Sequence, residues 1–450
     1  MTTIDPEQRI DDVLPGVLAD LEQLVAIESV SADPARAGEV ARSAEQVAER
    51  FRAAGCPDVR TVSAAAGAPA VIGRFPAPEG MPTVCLYAHH DVQPEGDPAQ
   101  WTSPPYAPEE RDGRLYGRGS GDDKGGIAVH LAALRAYDGH PPVGVTLFVE
   151  GEEEVGSPTL GALLAENRDA LAADVFVIAD SWNWGVGRPS FTTSLRGLVD
   201  CVVEVRTLDH GIHSGGFGGV VPDALTTLCR LLATLHDERG NVAVAGLATS
   251  EPPDLAYDEA RLRAETGLLD GVDFIGDGSV VDRLWCKPAI AVIALDTTPI
   301  AQASNTIIPS ARAKISLRLA PGDDAQRALA RLTEHLESHA SWGARVTVHP
   351  GDTGQPSRIA ATGPIADVAR AAFARAWGTE VVEMGQGGSI PMVAEFQQAF
   401  PAATVLVTAV CDPDSRMHGV DESVHLGDLR KAALAETLLL GGLAELADSR

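Results

Sequence analysis

Residues 143–157 read VGVTLFVEGEEEVGS, a continuous apolar run that ends in four glutamates interrupted by one glycine. An apolar run without alternation is typical of a strand that is buried on both faces, as in a parallel sheet. The acidic run has an ordinary explanation, because the chain carries 63 Asp and Glu residues against 35 Lys and Arg, a net charge of −28. A short charge run is usually a solvated surface. It indicates a functional site only if matching groups follow the other strands.

Other apolar runs predict further strands of the same sheet, and helical spacing of apolar residues predicts helices between them. The predicted strands cover residues 83–88, 143–149, 175–179 and 404–410, and the predicted helices cover 11–27, 41–54, 125–137 and 160–172. Strands that alternate with helices, and that are apolar throughout, are typical of a sheet covered by helices on both faces. We therefore expect an α/β fold with a mostly parallel sheet.

The middle of the chain has a different pattern. Residues 198–206 and 311–319 alternate between apolar and polar, which indicates a sheet with one solvated face, and helices are predicted at 222–236 and 324–339. With 450 residues the chain exceeds the size of a single core. We predict an inserted α+β domain at 192–350 within a domain formed by residues 1–191 and 351–450.

Acidic residues and histidines follow each predicted strand of the α/β part. The groups are His89, His90 and Asp91 after the first strand, Glu150, Glu152, Glu153 and Glu154 after the second, Asp180 after the third, His418 in the loop beyond the fourth, and Asp122 and Asp123 in the glycine-rich turn GRGSGDDKGG at 117–126. The interval from His89 to Asp122 is 33 residues, the interval from Asp122 to Glu154 is 32, and the interval from Glu154 to Asp180 is 26. Each matches one strand–helix–strand step of about 30 residues, and the carboxyl ends of such strands form the ligand-binding edge of a sheet.

Convergence of His89, Asp122, Glu154, Asp180 and His418 at one edge would be strongly self-repelling without a cation. Two divalent metal ions that share one carboxylate would remove the repulsion. Two histidines with three carboxylates suit zinc, and also manganese or cobalt. Taken singly, each residue has a structural alternative, such as a helix cap for Asp122 or a turn residue for Asp180. Taken together, those alternatives do not explain the regular spacing of the five residues.

Several motifs resemble the co-catalytic zinc peptidases, a family that includes carnosinase-like dipeptidases, glutamate carboxypeptidase, acetylornithine deacetylase and succinyl-diaminopimelate desuccinylase. The motifs are HHDVQP, LYGRGSGDDKGG, EGEEEVGS, HSG, NTIIP, GGSIP and the late His418, in the family's order from about residue 85 to 425. The dipeptidase branch is the most similar, through DVQP, YGRGSGDDKG and LWCKP at 284–288.

The resemblance implies a metal-dependent dipeptidase that hydrolyses the peptide bond with a metal-activated water. It implies that His89 and Asp180 bind one ion, that Glu154 and His418 bind the other, and that Asp122 bridges both. It further implies that Glu153 is the general base, that Asp91 orients the imidazole of His89, and that the Asp122–Asp123 peptide is cis. For Glu150 and Glu152 we predict no catalytic role, only a structural or solvated one.

The resemblance also implies residues that contact the substrate. Arg318 would bind the C-terminal carboxylate of the dipeptide, although from its strand position alone it could equally be a solvated arginine. His213, in GIHSGGFGG, would stabilise the oxyanion, and Thr306, Gly388 and Ser389 would make further contacts. In the dipeptidases this chain resembles, the inserted domain pairs with its twin, so we expect a homodimer in which His213 reaches the partner's active site.

Two motifs depart from the family pattern. Gly385-Gln386 precedes GGSIP where many relatives have Arg-Glu, and His418 lies in MHGVDE rather than in His-Ser/Ala-Pro-Asn-Glu. Because His418 and Glu422 keep their spacing, we expect metal binding to be retained and the local loop shape to differ.

Four functions are compatible with parts of this pattern: the dipeptidase, an N-acyl-amino-acid amidohydrolase (a deacylase or carboxypeptidase) of the same family, a two-metal phosphoesterase, and an acidic binding protein without catalysis. Asp180 favours the dipeptidase over the amidohydrolase. The scarcity of basic residues besides Arg318 and Lys124 argues against the phosphoesterase, and Glu153 argues against the binding protein.

The net charge of −28 argues against nucleic acid and anionic membrane as partners. The scattered cysteines and the polar N-terminus predict a cytoplasmic protein.

Overall fold

The computed structural model describes residues 5–360, 362–388 and 391–449. The chain forms two compact units. Unit 1 comprises Met1–Thr193, Ile359–Met384 and Glu395–Arg450, and unit 2 comprises Ser194–Arg358 and Gly385–Ala394.

The strands, in chain order, are β1 (Asp58–Val62), β2 (Ala70–Phe75), β3 (Thr83–His89), β4 (Glu109–Arg111), β5 (Arg114–Tyr116), β6 (Gly144–Glu150), β7 (Val175–Ile178), β8 (Ser190–Leu195), β9 (Gly197–Arg206), β10 (Ile212–His213), β11 (Ala289–Asp296), β12 (Thr306–Ile307), β13 (Ser310–Leu319), β14 (Arg345–Gly354), β15 (Ser357–Arg358), β16 (Val382–Gln386), β17 (Thr404–Val407) and β18 (Ser423–His425).

The helices, in chain order, are α1 (Pro6–Val25), α2 (Ala37–Ala53), α3 (Lys124–Ala136), α4 (Leu160–Glu166), α5 (Arg168–Leu171), α6 (Ser214–Phe217), α7 (Ala224–Ala233), α8 (Glu259–Thr266), α9 (Ala325–Ser338), α10 (Pro364–Trp377), α11 (Pro391–Ala399) and α12 (Leu426–Asp448). Among the described residues, none of these helices combines the length and the apolar character that a membrane-spanning segment needs.

Unit 1 is built on a six-stranded sheet with the order β1-β2-β6-β3-β7-β17. The four strands β6, β3, β7 and β17 run parallel, whereas β1 and β2 add antiparallel pairs at one edge. The four parallel strands are those that the apolar runs predict, so the α/β prediction is confirmed. The two antiparallel strands were not predicted, because the short segments that form them have no distinctive pattern.

Both faces of the sheet are covered. On one face α3 packs between the sheet and the helices α1 and α12, and its side chains are almost all buried. On the other face an aromatic cluster of Tyr87, Phe148, Phe176 and Phe396 packs with ring centroids 4.5–6.0 Å apart. Burial on both faces explains why these strands are apolar throughout.

Unit 2 contains a four-stranded antiparallel sheet with the order β11-β13-β9-β14. Buried and less buried residues alternate along β9 and β13, as the sequence predicts for a sheet with one covered face. The helices α7 and α9 pack on the apolar face. The outer strand β11 is exposed along most of its length.

Two predicted segments differ from the structure. The helix predicted at 160–172 is divided into α4 and α5 at Asn167, whose backbone leaves the helical region. The strand predicted at 404–410 ends at Val407, and the backbone amide of Thr408 donates to the carbonyl of Ile178 at 2.7 Å.

Candidate metal centre

The central strand of the parallel sheet positions the first histidine. β3 has β6 on one side and β7 on the other, so the connection from β3 to β6 and the connection from β6 to β7 lead in opposite directions across the sheet. Such a reversal leaves a crevice beyond the carboxyl ends of the strands. His89 is the last residue of β3, Glu150 ends β6 and begins the run to Glu154, and Asp180 lies two residues beyond the end of β7. The fold therefore brings the strand-end groups to one edge, as predicted.

Asp122 lies between two histidines. Its Oδ1 is 3.0 Å from Nε2 of His89, and its Oδ2 is 2.9 Å from Nε2 of His418. The peptide bond between Asp122 and Asp123 is cis, which confirms the prediction. Asp123, rather than Asp122, caps α3, because its carboxylate accepts from the backbone amide of Gly126 at 3.2 Å. The carboxylate of Asp122 is thus available to face both imidazoles.

The turn that carries Glu153 and Glu154 is held by Asp91. The carboxylate of Asp91 accepts from the backbone amides of Glu153 and Glu154 at 3.2 and 3.1 Å. The nearest acceptor to Nδ1 of His89 is the carbonyl oxygen of Asp91 at 3.0 Å, and the Asp91 carboxylate lies 3.4 Å away. Asp91 thus orients the imidazole through its backbone as well as through its side chain.

Glu154 and His418 are in direct contact, with 3.2 Å between the carboxylate and Nε2. Gln93, which the sequence did not single out, donates to the carboxylate of Glu154 from its side chain at 2.8 Å and from its backbone at 3.1 Å. Its place in the HHDVQP motif was the one sequence feature that could have indicated a role for Gln93.

Two sets of ligand atoms are close enough to bind a cation. One consists of His89, Asp122 and Glu154, the other of His89, Glu153 and Asp180, and within each set the atoms lie within 4.8 Å of one another. Glu153 therefore lies beside Asp180 and His89, whereas Glu154 faces Asp122 and His418. The neighbouring glutamates point to different parts of the site.

The electrostatics of the cluster show an excess of buried acid. Burial and the charge of Asp180 raise the pKa of Glu153 well above its usual value. Burial, together with Asp122 and Glu154, raises the pKa of Asp180 to about 7. Burial works against ionisation of Asp122 too, but contacts with His418 and His89 hold its pKa below the usual range. Hydrogen bonds to Asp122 and Glu154 raise the pKa of His418 to about 10.

The donor set fits divalent metal ions. The carboxylates of Asp122, Glu153, Glu154 and Asp180 converge on two imidazoles, and in the described part of the chain no Lys or Arg forms an ion pair with any of the four. Bound cations would supply the missing positive charge. Imidazole and carboxylate ligands suit zinc, manganese and cobalt.

The remainder of the acidic run is structural. Glu150 is buried and accepts from the hydroxyl of Tyr87 at 2.5 Å, and burial raises its pKa to about 7. Glu152 is buried and accepts from the hydroxyl of Thr159 at 2.7 Å. The interrupting Gly151 is required by space, because a Cβ there would lie 2.7 Å from the imidazole of His90. The solvated alternative for Glu150 and Glu152 is therefore wrong.

Glu422 fixes the glycine-rich loop that carries Asp122. One carboxylate oxygen accepts from the backbone amides of Gly119, Gly121 and Asp122 at 3.1–3.2 Å, and the other accepts from Arg118 at 2.5 Å. The pairing of β18 with β5 brings Glu422 to this loop. The sequence indicated only that Glu422 keeps a family spacing, and Arg118 was not predicted.

The loop of the last ligand has an unusual backbone. His418 and Asp421 have φ angles of 62° and 59°, a region that few non-glycine residues adopt. The carboxylate of Asp421 accepts from the backbone amide and the hydroxyl of Thr102, both at 2.8 Å, which holds the loop. The departure MHGVDE thus has its own anchoring.

The predicted substrate residues that the structure describes lie in unit 2. His213 and Thr306 are paired residues of β10 and β12 and are both exposed. Arg318 is half-buried on β13, and Gly388 is exposed. Ser389 lies outside the described residues.

The other departure, Gly385, has a local explanation. A Cβ at Gly385 would lie 2.7 Å from the side chain of Trp285 and 2.9 Å from the hydroxyl of Ser194. Trp285 belongs to the LWCKP motif. The side chain of Trp285 therefore occupies the space that a larger residue at 385 would need.

The chain is similar in sequence to a family of peptidases and in structure to a solved dipeptidase. The family model described as Peptidase family M20/M25/M40 matches residues 85–440. A cysteinylglycine-S-conjugate dipeptidase from Corynebacterium striatum is 35% identical over 431 residues, 94% of each chain. A Cys-Gly metallodipeptidase from Saccharomyces cerevisiae is 25% identical over 459 residues, again 94% of each chain. The crystal structure of human carnosine dipeptidase 1 superimposes with a TM-score of 0.83 at 25% identity and covers 98% of each chain.

Proposed function

Because the chain belongs to peptidase family M20/M25/M40, we propose that it is a metal-dependent dipeptidase that hydrolyses dipeptides with a free C-terminal carboxylate. The observation that carries the proposal is the position of Asp122, whose two oxygens face two different histidines. A carboxylate in this position can bridge two metal ions. The dipeptidase names of the relatives support this substrate class.

We propose two ions per chain, zinc in the first place, with manganese or cobalt as alternatives. His89 and Asp180 would hold one ion, Glu154 and His418 the other, and Asp122 both. The contacts of Asp122 with each histidine, and of Glu154 with His418, support this division. When bound, divalent ions supply Lewis-acid chemistry, since they polarise a carbonyl and make water a stronger acid.

Glu153 is the general base of the proposed reaction. It takes a proton from the attacking water and later delivers that proton to the leaving amine. Its carboxylate is close to His89 and Asp180, and the Asp91 carboxylate fixes its backbone. Asp91 is a positioning residue for Glu153, Glu154 and His89.

The residues of unit 2 would bind the substrate. Arg318 would bind the C-terminal carboxylate, His213 would stabilise the oxyanion, and Thr306, Gly388 and Ser389 would make further contacts. The support is the family resemblance, through the motifs HSG, NTIIP and GGSIP for all of them except Arg318, together with the pairing of His213 and Thr306.

A panel of substrates separates the candidate functions. The metal-loaded enzyme is assayed with dipeptides, N-acetyl amino acids and a phosphate monoester. We expect cleavage of dipeptides only. Cleavage of the N-acetyl amino acids in preference to dipeptides would favour the amidohydrolase. The phosphoesterase function would need basic residues near the phosphate, and only Arg318 and Lys124 were candidates. Lys124 is not available, because it is fully buried and donates to the carbonyls of Leu24 and Ile27 at 2.8 and 2.9 Å.

We also propose a homodimer through unit 2, which would act as a lid and dimerisation domain. β11 is an outer strand that exposes Val292, Ile293 and Leu295, each by 45–57%. An exposed apolar edge strand is a ready surface for pairing with a second copy. Ile293→Lys should give a monomer in sedimentation, whereas Leu269→Lys, at a 74% exposed residue outside the strand, should not.

Subunit mixing tests the role of His213. His213→Ala and Glu153→Ala homodimers should both be nearly inactive. If His213 acts on the partner's site, random exchange of subunits should restore about a quarter of the wild-type activity. Absence of recovery would place its action within its own chain, and an active His213→Ala homodimer would remove it from the mechanism.

We propose a cytoplasmic location for the protein. All six cysteines are unpaired and five of them are buried, which fits a reducing compartment.

A further inference from the structure

A second arginine lies beside Arg318 on the sheet of unit 2. In the β9–β13 ladder Arg318 is opposite Leu198, and Leu319 is opposite Gly197. Arg196 precedes Leu198 by two residues and lies just before β9, where an extended backbone would direct its side chain to the same face as Arg318. Such diagonal neighbours are about 7–8 Å apart, within reach of long side chains.

Arg196 is held firmly although it has no acidic partner. It is 6% exposed, and its Nη2 donates to the carbonyls of Lys287, at 2.8 Å, and Arg283. Its Nε is buried without a hydrogen-bond partner. Across residues 5–360, 362–388 and 391–449, neither Arg196 nor Arg318 forms an ion pair with a carboxylate.

A lysine on the same face of the sheet, unlike the two arginines, has an acidic partner. Lys314 lies four residues before Arg318 on β13 and forms an ion pair with Asp200 of β9 at 2.9 Å. This sheet therefore provides a carboxylate for one cation and leaves the two arginines without one. A buried guanidinium without a counter-charge is costly to maintain, so an unmatched pair points to an anion from outside the chain.

The positive charge of Arg318 acts on Arg196. Burial, and then the positive charge of Arg318, lower the pKa of Arg196 to about 10. The negative charge of a bound carboxylate would offset both effects. Arginine is suited to this task, because its planar fork matches the two oxygens of a carboxylate.

We propose that Arg196 is a specificity-determining residue that forms, with Arg318, a two-arginine subsite for the C-terminal carboxylate of the substrate. The inference rests on the proposed dipeptidase function and deepens it, since there Arg318 alone binds the carboxylate. The two carbonyl contacts of Arg196 orient its guanidinium before the substrate arrives. Peptides that lack the free carboxylate are expected to be poor substrates.

The test compares S-methyl-cysteinylglycine with its C-terminal amide. In Arg196→Gln we expect KM for the acid to rise by about 10-fold or more, the order expected for a lost charge-assisted hydrogen bond, with little change in kcat. Kinetics for the amide should stay within about 2-fold of wild type. Arg196→Lys keeps the charge but not the fork, so its preference for the acid should be intermediate. The matched control, Lys314→Gln, should leave the preference unchanged.

A binding measurement separates this inference from the proposed function. The acid and the amide are titrated calorimetrically into the metal-loaded Glu153→Gln enzyme, with and without Arg196→Gln or Arg196→Lys. An acid preference that depends on Arg196 supports the subsite even if the wild type cleaves neither peptide, a result that would refute only the dipeptidase. Equal losses for acid and amide would show that Arg196 merely anchors the Arg283–Lys287 segment, and would overturn the inference.

Discussion

Replacement of Glu422 by glutamine should weaken both the fold of unit 1 and its metal binding. The amide oxygen of glutamine can still accept from the backbone amides of Gly119, Gly121 and Asp122. The amide nitrogen, however, would face the guanidinium of Arg118, so that two donors meet where an ion pair existed. Arg118 is 1% exposed and cannot turn to solvent.

The expected magnitude follows from the contacts that Arg118 retains. Loss of one partner from a buried ion pair costs about 3–5 kcal/mol. Arg118 still donates to the carbonyls of Pro94 and Gly419, both at 3.2 Å, and lies over the ring of Trp101 at 5.4 Å. We therefore expect the lower limit, about 3 kcal/mol, which corresponds to a fall of about 6–12 °C in Tm for a unit of this size. Since the loop carries Asp122, metal affinity should fall by about 10–100-fold.

The assay is thermal unfolding of the metal-free protein, followed by titration with zinc. The control is Glu109→Gln, which makes the same change in an ion pair with Arg111 at 2.8 Å whose glutamate is 53% exposed. Such a surface pair contributes at most about 1 kcal/mol. If Glu422→Gln and Glu109→Gln have equal Tm values and equal zinc affinity, the glycine-rich loop does not depend on Glu422, and our account of the loop is wrong.

Three further predictions concern the same unit. Metal analysis of the purified enzyme should give two divalent ions per chain, and a chelator should abolish activity until zinc is restored; a single ion at full activity would contradict the bridging role of Asp122. Glu153→Gln should keep both ions and lose at least about 10²-fold in rate, whereas near-native turnover would require another base. Lys124→Met should lower the free energy of unfolding by about 2–3 kcal/mol in urea, because two carbonyls at the end of α1 lose their donor; unchanged stability would show that water replaces the amine.

The parallel sheet could be predicted from the sequence because its strands are buried on both faces. Burial of this kind leaves a continuous apolar run, and the groups that follow each run mark the edge where the site forms. β1 and β2 were not predicted in this way. In β2 the apolar residues are interrupted by Gly73 and Arg74, so the apolar run is short. β1 is only partly buried, so its residues carry no such constraint, and its pairing is decided by contacts with distant strands.

The candidate ligands were predictable for a related reason, since chemistry restricts them to a few residue types at strand ends. The residues that support them were less visible. Gln93 and Arg118 act through hydrogen bonds whose partners are brought together only by the fold. Arg196 lies between β8 and β9, in the ordinary stretch SLRGLV, and its significance depends on the lack of an ion pair with any carboxylate of the described residues, which a sequence pattern does not show. The roles of such residues become visible only in the folded structure.

The wide separation in sequence of the groups that form the metal centre has a consequence for how the protein is made. Asp122 and the carboxylate of Glu422 that orders its loop are 300 residues apart. At translation rates of 5–20 residues per second, the ribosome needs about 15–60 s to add the second after the first. During that time β7 also lacks its parallel neighbour β17, and an open strand edge favours aggregation. Metal in the growth medium cannot shorten this interval, because His418 has not yet been synthesised. We expect chaperones that shield the β7 edge to raise the yield of folded enzyme more than added zinc does.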